Sequence, residues 1–130
     1  MVSSGRRADA GCMEKFAVAV MPIADMGGWK QFLEEATSGA RGDAQRELLR
    51  RGGVTAEHVF HQPTPMGDLM VLVWEGVDQD QMSQLFAGML QNPTTDHERY
   101  VRDVVIPKVH GVDLTQPPAP PAQLMGSHRT

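Results

Sequence analysis

The sequence predicts an α+β domain with the element order β-α-β-β-α-β, the split-βαβ arrangement, on three observations. Two short runs, Lys15 to Met21 (KFAVAVM) and Leu69 to Trp74 (LMVLVW), are apolar at both parities, the pattern of strands covered on two faces. Met82, Leu85, Phe86, Met89 and Leu90 form one continuous helical stripe. The length of 130 residues, 41% of them apolar, suits one domain around one modest core.

Taken in order, the first strand shows Phe16, Val18 and Val20 on one face and Ala17, Ala19 and Met21 on the other. After Gly27-Gly28, Trp29, Phe32, Leu33 and Ala36 recur at helical spacing. Ser38-Gly39 and Gly42 are expected to interrupt that helix, with Asp43 capping a second piece through Leu48 and Leu49 that ends at Gly52-Gly53. The stretch AEHVFHQPTPMGD, Ala56 to Asp68, reads as a second strand followed by a Pro/Gly turn from Pro63 to Asp68. The striped helix stops at Asn92-Pro93. Thr95 then opens a Thr-x-x-Glu capping box with Glu98, starting a helix through Tyr100, Val101, Val104 and Val105 that Pro107 should end or kink. Val112 to Thr115 is expected to be a short fourth strand.

This order implies an antiparallel four-stranded sheet, with strands one and three central and the helices on one face. Helices can cover only that face, so the opposite face of strands one and three needs another cover. A second copy of the chain is the simplest candidate, with Ala17 or Ala19 placed by parity on the dimer side.

The domain is expected to span residues 13–115. Residues 1–12 read as a disordered leader rather than a signal peptide, because Asp9, Glu14 and Lys15 interrupt the approach to the apolar run and Pro22 sits inside it. Residues 116–130, with four prolines between Pro117 and Pro121, read as an extended tail. Cys12 is the only cysteine, which excludes an intramolecular disulfide and fits a cytoplasmic location. The net charge is −4, and between residues 13 and 115 nine basic residues face fifteen acidic ones. Such a balance argues against nucleic acid, which needs clustered Lys and Arg. No apolar run reaches the roughly 20 residues of a membrane-spanning helix.

The element order and the stretch LLRRGGVTAEHVF…GDLMVLVWEGVD…NPTTDHERY resemble the dimeric α/β-barrel proteins, in particular short bacterial members of unassigned function. In that superfamily two ferredoxin-like subunits press their open sheet faces together, so the resemblance implies a homodimeric ferredoxin-like barrel. Wider relatives include cofactor-independent antibiotic-biosynthesis monooxygenases, muconolactone isomerases, stress-responsive barrel proteins and haem-degrading monooxygenases. The last group relies on an asparagine near the start of its sheet, whereas the only asparagine here is Asn92, at a helix break.

Candidate site residues follow from type and position. His58 and His61 lie three apart in a strand and so point to opposite faces, which prevents them from sharing one metal. With no H-E-x-x-H and no Cys/His ligand spacing, no metal and no tightly held cofactor is expected. One of the two histidines must face the helices, and either can be placed there until the strand register is known. His97 stands in the first turn of its helix, three and four residues before Tyr100 and Val101. Burial and the helix N-terminus would lower its pKa, as suits a general base; a structural histidine bonded to backbone is the alternative reading. Tyr100 is its candidate partner. Trp29 and Trp74 are candidate pocket walls, or simply core. The acidic set Asp78, Asp80, Asp96, Glu98 and Asp103 reads as a solvated face and helix-start charge rather than chemistry.

Two functions are compatible with these residues. One is a small enzyme acting on an apolar or aromatic metabolite in a pocket between sheet and helices, with His97 and Tyr100 as its chemistry, in the manner of a cofactor-independent monooxygenase or isomerase. The other is a dimer that binds a ligand without converting it.

Overall fold

Strands β1 (Phe16–Ile23) and β3 (Gly67–Glu75) form where the two-parity apolar runs lie, and β2 (Ala56–Thr64) completes a three-stranded antiparallel sheet of order β1-β3-β2. The structure is a computed structural model in which residues 15–130 are described. The leader expected over residues 1–12, with Cys12, therefore lies outside the described residues. The hairpin between β2 and β3 is tight, since Thr64 pairs with Gly67 and only Pro65 and Met66 lie between them. Gly67 adopts φ 133°, which a side chain would resist.

Register fixes the faces. Ala17, Trp74 and Glu57 lie in one row across the sheet, Ala19, Leu72 and Val59 in the next, and Met21, Met70 and His61 in the third. Ala17, Met70, Leu72 and Trp74 are buried, so this is the face under the helices. The other face carries Val18, Val73 and His58, then Val20, Val71 and Phe60. Val20 is 51% exposed and Phe60 56%. The expectation that Ala17 or Ala19 points away from the helices is thus reversed: the small residues lie where helices press closest, and the larger apolar ones lie on the open face.

The helical layer is α1 (Met26–Glu35), α2 (Gly39–Arg51), α3 (Gln79–Gln91) and α4 (Asp96–Tyr100), the last running directly into a π-helical segment, Val101–Val109. Asp25 caps α1 by accepting the Gly28 N–H at 3.0 Å. The helical stretch is interrupted at residues 36–38, as Ser38-Gly39 led one to expect, but α2 begins at Gly39 with Ser38 at its N-cap and runs through Gly42, so the break at Gly42 and the Asp43 cap are corrected. Gly42 is buried there because a Cβ would come within 2.9 Å of the Thr37 backbone, while Asp43 pairs with Arg46 on the surface. A reciprocal Asp78–Gln81 capping box opens α3, so Asp78 has a structural task beyond a solvated charge.

Glu98 leaves the acidic surface set altogether, being 4% exposed. Thr95 Oγ1 accepts the Glu98 N–H, as the capping-box reading expects. The Glu98 carboxylate, however, accepts from the Thr94 N–H and hydroxyl and from the Arg51 guanidinium at 2.9 Å. Burial pushes its pKa up, but these donors outweigh burial and leave the carboxyl below its ordinary range.

The fourth strand is also corrected. Gly111 takes φ 72°, the Val112 N–H closes back onto the Ile106 carbonyl at 3.1 Å, and Asp113 captures both the N–H and the hydroxyl of Thr115. Local bonds of this kind compete with a sheet ladder, and here they prevail. Only β3 is therefore central, and β1 is an edge. Part of that edge is satisfied by a side chain: the Gln79 amide accepts from the Val18 N–H and donates to the Val18 carbonyl at 3.1 Å. The same amide nitrogen donates to the Ala122 carbonyl in the tail, whose residues 117–130 are exposed and carry neither helix nor strand.

The molecule is an α+β domain in which a three-stranded antiparallel sheet is covered by helices on one face. Among the described residues, no helix is long and apolar enough to cross a membrane.

The face assignment predicts opposite outcomes at adjacent rows of β1. Ala17→Asp buries an unpaired charge, which costs several kcal/mol, and should unfold the domain. Val20→Lys leaves its charge on the face away from the helices and should remain folded. Circular dichroism of both variants checks this, and an unfolded Val20→Lys or a folded Ala17→Asp would overturn the face assignment.

Candidate functional site

Between the helix-covered face of the sheet and the helices lies a cavity of about 110 Å³. For scale, an apolar cavity of about 150 Å³ takes up benzene, so the space is that of a single ring. Met21, Met70, Leu72 and Trp74 contribute from the sheet, Trp29 and Phe32 from α1, and Leu85, Phe86 and Met89 from α3. Val101, Val105 and Ile106 close it from the C-terminal helix. Phe86 stacks on Trp74 with ring centroids 5.2 Å apart, which fixes that wall.

The polar groups in this lining are few. Glu57, Gln45 and His110 are the side chains with ionisable or amide groups, and the two indoles add N–H donors. Both donors are consumed: Trp74 Nε1 donates to Glu57 Oε2 at 2.7 Å and Trp29 Nε1 to Met70 Sδ at 3.3 Å.

His97 and Tyr100 lie outside the lining. His97 is buried behind Gln45 and tied into a directed chain of hydrogen bonds. Arg41 can only donate, so the 3.4 Å contact of its Nη1 with His97 Nδ1 makes that nitrogen the acceptor and leaves the proton on Nε2. Nε2 donates to Gln45 Oε1 at 2.6 Å, and Gln45 Nε2 donates in turn to Glu57 at 3.2 Å. The chain thus runs from Arg41 through His97 and Gln45 to the Glu57 carboxylate at the cavity wall, where Trp74 meets it from the other side. Burial first, then the Arg41 charge, lower the His97 pKa below 6.5 against an opposing pull from Glu98.

Tyr100 makes no hydrogen bond to His97. Phe32 instead stacks on both rings, with centroids 6.2 Å from each, and the Arg41 guanidinium sits 4.0 Å over the Tyr100 ring. The two candidates are brought together around Phe32 and Arg41, a helix–helix packing cluster.

The remaining sequence candidates separate as follows. Trp29 and Trp74 both line the cavity. His61 is the member of its pair on the helix-covered face, where its ring meets Trp29 edge-on at 5.8 Å and its Nε2 meets Asp68 at 2.7 Å. It sits beside the cavity without lining it. His58 is on the open face, where its Nε2 meets Glu75 at 2.5 Å. Among the described residues no group of three or more His, Cys, Asp or Glu side chains is placed to hold a metal ion.

Three lining residues went unnoticed in the sequence. Glu57 belongs to the row of Trp74, which only the strand register reveals. Gln45 carries no sequence signal of its own. His110 did have one: the buried positions 101, 105–106 and 109–110 recur every four to five residues. That is wider than the 3.6-residue α-helical turn and is what i→i+5 bonding produces. The His110 N–H bonds to the Val105 carbonyl, five residues back. The same widening carries the helix past Pro107, which was expected to end or kink it, and leaves Val104 only half-buried.

Burial also lowers the His110 pKa, partly countered by its bond to the Pro22 carbonyl. Both buried imidazoles thus favour the neutral form in the fold, whereas the unfolded chain takes up protons near the ordinary value of 6.5. The unfolded state binds more protons below that value, so stability should fall as pH drops through and below 6.5. Urea denaturation on either side of pH 6.5 checks this; His97→Phe and His110→Phe should each flatten the slope, and a parent midpoint that does not move would refute it.

No protein-family model, no curated protein and no solved structure matches this chain, so the functional reading rests on the geometry of the cavity.

Proposed function

We propose that the protein binds a small apolar or aromatic molecule in the cavity between its sheet and its helices. The observation that carries this reading is the lining itself: two tryptophans and two phenylalanines among aliphatic and Met side chains, with Trp74, Glu57 and Gln45 bonded to one another at one wall. Ligand sites are typically concave, mostly apolar and supplied with a few placed polar groups. Binding is favoured over catalysis because His97, the candidate base, is screened from the cavity by Gln45. A catalytic reading, isomerase- or monooxygenase-like, has one supporting feature, the hydrogen-bond chain that connects His97 to Glu57.

The working form of the molecule in this reading is a cytoplasmic homodimer. The resemblance to dimeric α/β barrels supports it, as does an open sheet face on which Val18, Val20, Val71, Val73 and Phe60 lie together. Apolar surface of that kind is a common mark of an interface.

Toluene is a suitable first probe. It should raise the melting temperature progressively with its concentration and shift the indole N–H resonances of Trp29 and Trp74. If saturating toluene moves neither, the binding reading fails. For the dimer, light scattering at micromolar concentration should give twice the chain mass, and Val20→Lys should give the single-chain mass while remaining folded. A parent protein that is monomeric under those conditions would remove the dimer from the proposal.

A further inference from the structure

One residue of the cavity lining has a ring nitrogen that no described residue bonds. His110 is 3% exposed and lines the cavity. Its Nδ1 lies 2.8 Å from the Pro22 carbonyl oxygen, which can only accept, so Nδ1 carries the ring proton. Nε2 must then present a lone pair. No described group lies within hydrogen-bond distance of it. A buried acceptor of this kind is costly to leave unmade, and native proteins satisfy nearly all of them.

The ring is also held firmly. The Pro22 carbonyl fixes one side of the imidazole, and the π-helical turn fixes its backbone through the bond to Val105. Gly111 at φ 72° then turns the chain away, and a Cβ added there would come within 3.0 Å of Ala24 Cβ. The lone pair is therefore presented by a preorganised group rather than by a mobile side chain.

What the rest of the lining offers narrows the ligand further. The two indole donors are occupied, and Gln45 is bonded at both its oxygen and its nitrogen. Glu57 is a carboxylate, and among the described residues no Lys or Arg lines the cavity. An anionic ligand would meet acceptors and a negative charge, with nothing to compensate its desolvation. A purely apolar ligand would leave Nε2 stranded.

We propose that the cavity takes a neutral aromatic molecule carrying one hydroxyl donor, a phenol, whose O–H is accepted by His110 Nε2. This rests on the cavity-binding reading and adds the chemical class of its ligand. Glu57 lies near the opposite end: on β2 it stands five residues before Gln62, the residue in the row of Pro22. The donor is thereby assigned to the His110 end, and the ring to the tryptophan-lined middle.

Phenol, toluene and benzoate test this at neutral pH, because phenol and toluene differ by one hydroxyl for one methyl group. The parent protein should bind phenol comparably to toluene and bind benzoate much more weakly. In His110→Phe, phenol affinity should fall about tenfold or more while toluene is retained, since a hydroxyl buried without a partner is rejected at roughly that level. Phenol, but not toluene, should also move the Nε2 nitrogen resonance of His110 in the parent protein, a readout that needs no variant. Toluene binding without phenol binding, or an unmoved Nε2 resonance on phenol saturation, overturns the inference and leaves the cavity reading intact. Equal losses of phenol and toluene in His110→Phe would mean that the residue is only structural, and would overturn it as well. Failure of both phenol and toluene removes the cavity reading and this inference with it.

Discussion

Side-chain alternation along β3 is the constraint on which the rest of the structure depends. Once Met70, Leu72 and Trp74 face the helices, Val71 and Val73 must face the other way, and the antiparallel pairings transmit that parity to both neighbours. Ala17 and Ala19 come under the helical layer, Glu57 comes to the row of Trp74, and His61 rather than His58 turns inward. A slip of one residue would exchange the whole set. The tight hairpin at Pro65-Met66 holds the register from one side, and the Gln79 amide fastened to Val18 holds the outer edge of β1 on the other. The cavity, its tryptophan walls and its polar end are all consequences of that one parity.

The helical layer closes over this face by an unusual route. An α-helix through residues 101–109 would meet Pro107 with a missing donor and a steric conflict. The wider i→i+5 turn eases the steric conflict, although Pro107 still donates no bond in it, and makes the turns less regular. In return Val105 and Ile106 together face inward, and so do Val109 and His110. At the α-helical 3.6 residues per turn, Val101 and His110, nine positions apart, would stand on opposite sides of the helix. The π-helical segment is thus the device that delivers an imidazole to the cavity wall, and such segments are common at functional positions.

Buried polarity is organised into two separate groups. Arg41, His97, Gln45, Glu57 and Trp74 form one connected chain in which every bond has a definite donor and acceptor. A network satisfied throughout in this way tends to rigidify and specify the packing around it. Glu98, held by Arg51 and Thr94, fastens the start of α4 to the end of α2 by the same means. His110 stands apart from both, with one nitrogen used and one open. That contrast between satisfied and open atoms is what separates scaffold from candidate site in this molecule.

The sequence alone determined the class of the domain, its strands β1 to β3, the striped helix and the aromatic walls, because each of these is written in a local pattern: short runs apolar at both parities at 16–21 and 69–74, and the helical stripe at 82–90. It also determined that His58 and His61 point apart, since alternation needs no knowledge of the fold. Tertiary structure alone decided which of them turns inward and which face of β1 is covered, because a strand apolar on both sides gives no local preference between them. It decided too that 112–115 turns instead of pairing, where Asp113 and Gly111 supply local bonds that a composition of β-formers conceals. The site followed the same division. Trp29 and Trp74 were legible as large apolar residues, whereas Glu57, Gln45 and His110 became lining residues only through long-range register and a π-helical pitch, neither of which is carried by any residue alone.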